Sequence, residues 1–230
     1  MNTESNAELA RRVAVHAALA DPTRLQVVDL LAIGDAASSE LSARLGTPSN
    51  LLAHHLKILE GAGVIARRPS EGDGRRSYWR LAAEPDVAPG VPALATPGRV
   101  VFVCTANTAR SHLAVALWRR ASPIPATSAG THPAERVARG ALAVARRHDL
   151  ELPDVAPRRL DEIIPALVAD DLVVTVCDRA HEEVGGSAPV HWSVPDPVAV
   201  GTSAAFERAH DDLATRIRRF APLLRDPGSG

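Results

Sequence analysis

Apolar residues recur at helical spacing in four stretches near the start of the chain, and each stretch ends at a break. The spacing predicts four helices, at residues 7–20, from 22 to a stop at Gly34, from 38 to 45–46, and from 49 to 61–63. Asp21 is the predicted N-cap of the second helix, because its carboxylate can accept from the free backbone N–H groups of the first turn. Ser38 or Ser39 is the predicted N-cap of the third helix.

Two short strands are predicted after the fourth helix. They cover residues 64–68 and 76–81, and the glycine-containing tip at 70–74 between them predicts a hairpin. Helices followed by one hairpin indicate a winged helix-turn-helix. Residues 82–98 then hold four prolines without helical or strand spacing, which indicates a linker. The predicted domains are therefore residues 1–81 and 99–230.

After the predicted linker, short apolar strands alternate with helices. The predicted strands lie at residues 99–103, near 127–128 and at 171–176, and the predicted helices at 111–120, 134–148, 161–168 and 203–220. Such alternation is typical of an α/β domain built on a parallel sheet. The predicted fold is therefore a mainly helical domain with a β-hairpin wing, followed by an α/β domain.

The composition limits the classes of function. With 46% hydrophobic and 23% charged residues, the chain can bury the cores of two globular domains. No apolar run approaches the roughly 20 residues that cross a bilayer, and the polar N-terminal residues do not resemble a signal peptide. A cytoplasmic protein without a membrane partner is expected. The net charge of −1 does not by itself favour nucleic-acid binding, so such binding would need a local basic patch.

The third and fourth predicted helices form a helix-turn-helix, in which the second helix enters the major groove of DNA. Groove-facing candidates lie at the start of that helix: Ser49, Asn50, Ala53, His54 and Lys57. The hairpin offers arginines for phosphate contacts: Arg67, Arg68, Arg75 and Arg76. The alternative is that these arginines only form the solvent-exposed surface of the hairpin and contact no DNA. It stays open, because charged runs usually lie on the surface.

This region resembles the ArsR-type family of winged-helix repressors. The resemblance rests on four blocks in order, ALADPTRLQVVDLLA, ELSARLG, HHLKILEGAGVI and GRRSYWRL. It implies a homodimer that binds double-stranded operator DNA and is released by an inducer. Arsenic-sensing members carry two cysteines where this chain has Ala37 and Ser39, so the usual thiolate trigger is missing. We expect no metal site and assign His54 and His55 to groove contacts or packing.

The segment that carries chemistry in the second domain is VVFVCTANTARSHLA, residues 100–114. Cys104 ends a predicted strand, and Arg110 lies six residues later at the start of a predicted helix. Backbone N–H groups of such a loop, together with the helix N-terminus, can hold a tetrahedral oxyanion and stabilise a thiolate. Arginine can bind two oxygens of the anion at once. The predicted oxyanion loop comprises Cys104, Thr105, Ala106, Asn107, Thr108, Ala109 and Arg110.

Residues 99–220 resemble the superfamily of low-molecular-weight protein tyrosine phosphatases and arsenate reductases. Beyond the loop, the resemblance includes Ser111, the segment 128–131 and the pair 196–197. It implies that Cys104 is the nucleophile, Arg110 the oxyanion clamp and Asp196 the general acid. It also implies that Asn107 holds the loop in shape and that Ser111 hydrogen-bonds the thiolate.

Two features favour arsenate over phosphotyrosine as the substrate. Phosphatases of this superfamily usually place aromatic residues after the acid, whereas Val198 follows Asp196 and Pro197 here, and the chain is only 3% aromatic. Residues 173–178 resemble the reductase strand that carries a second cysteine, here Cys177. Thioredoxin-coupled members have a third cysteine where this chain has Val184. The resemblance implies no bound cofactor but an external thiol reductant, either mycothiol with mycoredoxin or thioredoxin.

The sequence leaves three functions open. The favoured one is an arsenate reductase joined to an ArsR-type transcriptional regulator, acting in arsenic detoxification. The second is a regulator whose oxyanion pocket senses arsenate or phosphate without turnover. The third is a phosphatase of proteins or small molecules. Cys177 is either a member of a redox relay or a small buried residue at a strand end.

Overall fold

The computed structural model describes residues 3–82, 90, 94–152, 156–163 and 170–224. The chain forms two compact units, one of Met1–Pro69 with Arg75–Val91 and the other of Ser70–Gly74 with Pro92–Gly230. Most of the predicted linker, 83–89 and 91–93, lies outside the described residues, as do residues 164–168 of one predicted helix. In the described parts of the chain, no helix is both long and apolar enough to cross a membrane.

The helices of the first unit follow the predicted pattern closely. They are α1 Thr3–Leu19, α2 Pro22–Ile33, α3 Ser38–Leu45 and α4 Ser49–Gly61. Asp21 caps α2 as predicted, because its carboxylate accepts from the backbone N–H of Arg24 at 3.0 Å. The predicted serine cap of α3 is wrong. Ala37 occupies that position, and its backbone N–H donates to the carboxylate of Glu40 at 2.9 Å.

The cap of α3 differs because a short strand precedes the helix. This strand, β1 Ala36–Ala37, pairs antiparallel with β3 Ser77–Leu81, which also pairs with β2 Ile65–Pro69. Ser38 already lies in the helix, where its hydroxyl accepts from the indole N–H of Trp79 at 2.9 Å. The β2–β3 hairpin was predicted, whereas two alanines carry no strand pattern that would reveal β1.

The second unit contains a four-stranded parallel sheet. Its strands are β4 Arg99–Cys104, β5 Ala126–Gly130, β6 Asp171–Thr175 and β7 Val190–His191, in the spatial order β5-β4-β6-β7. The central strand β4 is buried from Val100 to Cys104, as a continuous apolar run predicts for a parallel sheet covered on both faces. Ligand sites in open α/β sheets lie at the carboxyl ends of the strands, and Cys104 ends β4 there.

Six helices of the second unit are described: α5 Arg110–Ala121, α6 Arg139–Arg147, α7 Leu160–Ile163, α8 Asp178–Val184, α9 Pro197–Val200 and α10 Ser203–Phe220. Helix α10 has the bounds that its periodicity predicts, with Leu213 and Ile217 among its buried residues. Helix α6 is shorter than the predicted 134–148, because it begins only at Arg139. The short elements α8, α9 and β7 were not predicted.

Candidate functional site

The loop between β4 and α5 forms the centre of the site. Cys104 is the last residue of β4, and Arg110 is the first residue of α5, so residues 105–109 turn directly from a strand into a helix. Both end residues are buried: Cys104 is 2% exposed and Arg110 is 7% exposed. The structure therefore places the predicted oxyanion loop at the N-terminus of a helix, where backbone N–H groups favour a bound anion.

The Cys104 sulfur receives contacts from two residues of its own loop and helix. The backbone N–H of Asn107 donates to Sγ at 3.2 Å, and the Ser111 hydroxyl lies 3.2 Å from the same atom. The sulfur is therefore in contact with one backbone N–H group and one hydroxyl group. Cys104 and Ser111 are thus brought together as the sequence predicts.

Asn107 occupies a left-handed backbone conformation, with φ of 50°, and is fully buried. Asparagine tolerates this region better than most residues. Its side chain spans the site: Nδ2 donates to the Ser111 hydroxyl at 2.8 Å, while Oδ1 accepts from the backbone N–H of Arg158 at 3.0 Å. The side chain therefore joins the loop both to α5 and to residue 158, a contact the sequence did not reveal.

The segment 130–138 holds the other side of the loop. Four of its backbone N–H groups donate to carbonyl groups of the loop, from Thr131 to Cys104, His132 to Thr105, Ala134 to Ala106 and Ala138 to Thr108, at 2.8–3.2 Å. These bonds explain why α6 begins after residue 138, since the N–H groups of 134 and 138 serve the loop. Gly130 is needed here, because a Cβ atom would lie 2.6 Å from the Thr105 carbonyl oxygen.

Arg110 is held in place at both ends of its guanidinium group. Nη1 donates to the carbonyl of Val194 at 3.0 Å, and Nη2 lies 3.1 Å from Oδ2 of Asp196. Asp196 is itself the N-cap of α9, where Oδ1 accepts from the backbone N–H of Val198 at 3.0 Å. The structure thus brings the predicted clamp and the predicted acid into contact, and a bound oxyanion would compete with the carboxylate for Arg110.

Cys177 lies against the same loop. The Thr105 backbone N–H donates to its Sγ at 3.2 Å, and the Thr105 hydroxyl is 3.4 Å away. Cys104 ends β4, and Cys177 lies two residues beyond the end of the adjacent parallel strand β6, so both cysteines lie at the same edge of the sheet. Both thiols are free and buried. Burial raises the pKa of the Cys177 thiol, although the positive charge of Arg110 opposes the shift.

A buried polar network that the sequence did not reveal supports the segment after Cys177. Nδ1 of His191 lies 3.0 Å from the Thr175 hydroxyl, and Nε2 lies 3.1 Å from Oδ1 of Asp178. Burial by itself favours the neutral carboxyl, but hydrogen bonds from His191 and Ser193 outweigh it and hold the pKa of Asp178 below its usual value. Residues 13 positions apart give no spacing signal, so only the fold brings Asp178 and His191 together.

The loop is bordered by both polar and apolar side chains. A shallow groove of about 340 Å³ adjoins it, lined by Thr131, His132, Arg159, Leu160, Asp161, Glu183 and Val184. The three Trp, three Phe and one Tyr of the chain are all buried, none more than 6% exposed. Phe102, Trp118, Trp192 and Phe220 pack against one another within the second unit. No ring of these types is therefore exposed to flank a phenyl group.

In the first unit, the predicted groove-facing residues share one face of α4. Ser49, Asn50, Ala53, His54 and Lys57 are exposed, whereas Leu52, His55, Leu56 and Leu59 point into the core. His55 has its Nδ1 3.6 Å from Oδ1 of Asp21, in agreement with the packing alternative. The helix therefore presents polar side chains to solvent over its first two turns.

The four predicted arginines of the hairpin lie on β2 and in the turn that follows it. Arg67 and Arg68 lie on β2, and Arg75 and Arg76 lie between the strands; Arg67, Arg75 and Arg76 are exposed. The guanidinium of Arg67 stacks over the Trp79 ring, with its Cζ 5.8 Å from the ring centroid. This contact fixes one arginine on the face of the wing.

Several solved structures resemble the second unit. An arsenate reductase from Archaeoglobus fulgidus is 29% identical, with a TM-score of 0.45, over 54% of this chain and 98% of that one. An arginine phosphatase from Geobacillus stearothermophilus is 25% identical, with a TM-score of 0.46, over 55% and 92%. A tyrosine phosphatase from Erwinia amylovora is 20% identical, with a TM-score of 0.48, over 57% and 96%. No curated protein matches the chain.

Two family profiles match the chain in the order that the sequence predicts. Residues 19–68 match a helix-turn-helix domain of the ArsR type. Residues 99–227, more than half of the 230-residue chain, match the low molecular weight phosphotyrosine protein phosphatase profile. The chain therefore belongs to the low molecular weight phosphotyrosine protein phosphatase family and carries an ArsR-type helix-turn-helix before the family domain.

Proposed function

We propose that this protein is an arsenate reductase joined to a DNA-binding regulator. The observation that carries the proposal is the second thiol at the nucleophile's loop, where the Thr105 N–H donates to Cys177 Sγ at 3.2 Å. Hydrolysis of a phosphate ester needs one thiol, whereas reduction of arsenate needs two electrons, which two thiols supply by forming a disulfide. The buried aromatic residues also favour a small inorganic anion over a phenyl ester.

The first step forms a sulfur–arsenic bond. Arsenate binds in the loop with its oxygens on the backbone N–H groups and on Arg110, which leaves its contact with Asp196. The Cys104 thiolate attacks As(V), and the opposite arsenic–oxygen bond breaks. Asp196 protonates the departing oxygen, which leaves as water. Arsenic keeps its oxidation state in this step.

The second step transfers the electrons. The Cys177 thiolate attacks Sγ of Cys104, so that a sulfur–sulfur bond forms and the sulfur–arsenic bond breaks. The electron pair of the broken bond stays on arsenic, which leaves as arsenite, while the two cysteines are oxidised to a disulfide. An external dithiol of the thioredoxin class then reduces the disulfide. In the alternative route, a small thiol such as mycothiol attacks Sγ of the arsenylated Cys104, so that a mixed disulfide forms and arsenite leaves with the electron pair of the broken sulfur–arsenic bond. Mycoredoxin then reduces the mixed disulfide.

The chain has a valine at position 184, where thioredoxin-coupled relatives have their third cysteine, and this favours a relay of two cysteines within the chain. Val184 is the last residue of α8, which begins directly after Cys177. A helix rises about 1.5 Å per residue, so the two positions lie roughly 10 Å apart. Without a third thiol at Val184, the disulfide between Cys104 and Cys177 is the oxidised product that the external reductant must reach.

Replacing Cys177 with serine tests this relay. Incubated with arsenate and no external thiol, the native protein should release about one arsenite per chain and lose two free thiols. Cys177→Ser should release no arsenite under these conditions, because no sulfur can attack the adduct on Cys104. Arsenite would be measured by mass spectrometry of the filtrate, and free thiols by titration of the denatured chain.

The same experiment separates the alternatives. If the native protein releases no arsenite without an external thiol, yet both proteins turn over with mycothiol and mycoredoxin, the reductase is retained but Cys177 is removed from it. Arsenate binding without turnover by any donor would favour the oxyanion-sensing regulator. Hydrolysis of aryl phosphate without arsenate reduction would favour the phosphatase.

In the native protein, the rate of arsenite release from the adduct should rise about tenfold per pH unit from neutral pH, since the pKa of Cys177 is raised and only its thiolate attacks.

The first unit supplies the DNA-binding half of the proposal. The exposed face of α4 and the arginines of the wing support binding of double-stranded DNA, with the fourth helix in the major groove. A homodimer, which the ArsR resemblance implies, is supported by Leu9 and Val13, apolar side chains four residues apart on α1 that are 55% and 58% exposed. Oxyanion turnover and DNA binding are thereby proposed for one chain.

The double substitution Arg75→Ala and Arg76→Ala should weaken DNA binding and its salt dependence. Each lost phosphate contact lowers the slope of log affinity against log salt by about 0.9, so two contacts lower it by about 1.8. Fluorescence anisotropy with a labelled duplex over a salt series measures both quantities without a known operator. Arg136→Ala with Arg139→Ala, two exposed arginines of the second unit, is the charge-matched control. Equal slopes for the two double variants would remove the wing from the interface.

A further inference from the structure

A cluster of potential metal ligands lies in the second unit among residues that the proposed chemistry does not use. His148, Glu207 and His210 each offer one ligand atom, and these atoms lie within 4.8 Å of one another. The sequence prediction considered only His54 and His55 as metal candidates. The sequence gives no sign of this cluster, because His148 is separated from Glu207 by 59 positions and from His210 by 62, and only the packing of α6 on α10 brings them together.

The backbone positions of the cluster are well defined. Glu207 and His210 lie three residues apart on α10 and therefore share a face of that helix. His148 is the C-cap of α6. The two helices approach closely: a Cβ atom at Gly140 of α6 would lie 2.2 Å from the Phe206 ring of α10. The imidazole rings of His148 and His210 stack with their centroids 3.7 Å apart.

Neighbouring groups orient the three ligands. Nδ1 of His210 lies 2.9 Å from a carboxylate oxygen of Asp211, a contact that orients the ring and favours Nε2 as the nitrogen that binds an ion. The guanidinium of Arg147 lies 2.7 Å from Oε1 of Glu207. The other oxygen, Oε2, lies 2.7 Å from Nε2 of His148. One carboxylate oxygen and the histidine nitrogens therefore face one another.

We propose that His148, Glu207 and His210 form a binding site for a divalent transition-metal ion of the zinc class. Two imidazole nitrogens and one carboxylate oxygen suit Zn²⁺, Co²⁺ or Ni²⁺, whereas Mg²⁺ and Ca²⁺ prefer oxygen ligands throughout. Bonds of about 2.0–2.2 Å bring tetrahedral ligands to roughly 3.3 Å from one another. His148 and Glu207 are partly exposed and can rotate to close the remaining gap, while the buried His210 stays fixed. Water takes the fourth position.

The bound ion joins the C-terminal end of α6 to α10. The positive charge of Arg147 is close to Glu207 and opposes the ion, so the site binds less tightly than a cluster without a neighbouring cation. An ion that binds the folded chain alone stabilises it by mass action. The site therefore predicts a metal-dependent rise in thermal stability that is independent of the thiol chemistry.

The test uses the tag-free full chain with Cys104→Ser and Cys177→Ser, so that no thiolate competes for the metal. After treatment with a chelator, Zn²⁺ is titrated calorimetrically, and Co²⁺ is titrated by its visible d–d absorption. One ion per chain should bind with tetrahedral Co²⁺ bands. Thermal unfolding should shift upward with saturating Zn²⁺.

Two variants each remove one of the proposed metal ligands. Glu207→Gln retains the shape of a partly exposed side chain, and His210→Ala removes the buried ligand. Each should weaken Zn²⁺ binding at least about 100-fold and abolish the thermal shift, since loss of even an outer-shell partner costs 10–100-fold. His16→Ala, which removes an exposed histidine of α1, should bind as before. Unchanged affinity in both ligand variants, or octahedral Co²⁺ bands without a thermal shift, would overturn the site.

Discussion

Replacing Cys104 with serine is expected to abolish arsenate reduction, with a loss on the order of 10⁴-fold or more in turnover. The serine hydroxyl keeps the contacts of Asn107 and Ser111 but is almost entirely protonated at neutral pH. A serine–arsenate ester would also offer no sulfur for Cys177 to attack, so the electrons could not reach arsenic. Arsenite release with each donor system measures the effect.

Cys177→Ser is the matched control for this substitution, because it makes the same chemical change at a second buried cysteine of the same site. With mycothiol and mycoredoxin, Cys177→Ser is expected to retain turnover, whereas Cys104→Ser is not. Arsenate binding, measured by calorimetry, should survive in Cys104→Ser, which separates loss of chemistry from loss of the fold. Turnover of Cys104→Ser above about one hundredth of the native rate would contradict the assignment of Cys104 as the nucleophile.

The centre of the site could be predicted from the sequence because its residues lie close together along the chain. A buried strand, a loop and a helix within fifteen residues fix where Cys104 and Arg110 must lie relative to each other, since the strand and helix geometries leave little freedom. The same holds for α10, whose apolar period continues without interruption to Phe220. In these regions, local pattern and final fold agree.

The elements that the sequence missed are those defined by distant partners. The two-residue strand β7 exists only because Val190 and His191 pair with Val174 and Thr175. The late start of α6 has the same origin, because the N–H groups of the preceding segment donate to the loop at Cys104. Helical propensity predicted a longer helix there, and hydrogen bonds to the loop outweighed it.

The contact between Asp196 and Arg110 shows which part of the site the sequence could suggest but not place. An aspartate followed by proline is common in loops, and resemblance alone marked Asp196 as the acid. The structure puts its Oδ2 3.1 Å from Nη2 of Arg110, across 86 residues of chain. The proposed acid therefore lies beside the proposed anion clamp, where the departing oxygen of arsenate would need its proton.

Arg110→Lys is expected to lower kcat/KM for arsenate by about 10²–10³-fold, although the positive charge is kept. The native guanidinium donates to the Val194 carbonyl from Nη1, while Nη2 lies 3.1 Å from Oδ2 of Asp196. A lysine ammonium cannot hold a carbonyl and two oxyanion oxygens in one plane. The loss should appear in kcat as well as KM, because the developing charge in the transition state loses a donor.

The matched control is Arg119→Lys, the same change at an exposed position of the same helix, which should leave both constants unaltered. Calorimetric titration with phosphate, which cannot be reduced, gives the ground-state part of the effect separately. If Arg110→Lys raises KM alone and leaves kcat unchanged, Arg110 only binds the anion and does not act in the transition state. If neither constant changes, the anion does not lie in the loop between Cys104 and Arg110, and the proposed reductase site would have to be abandoned.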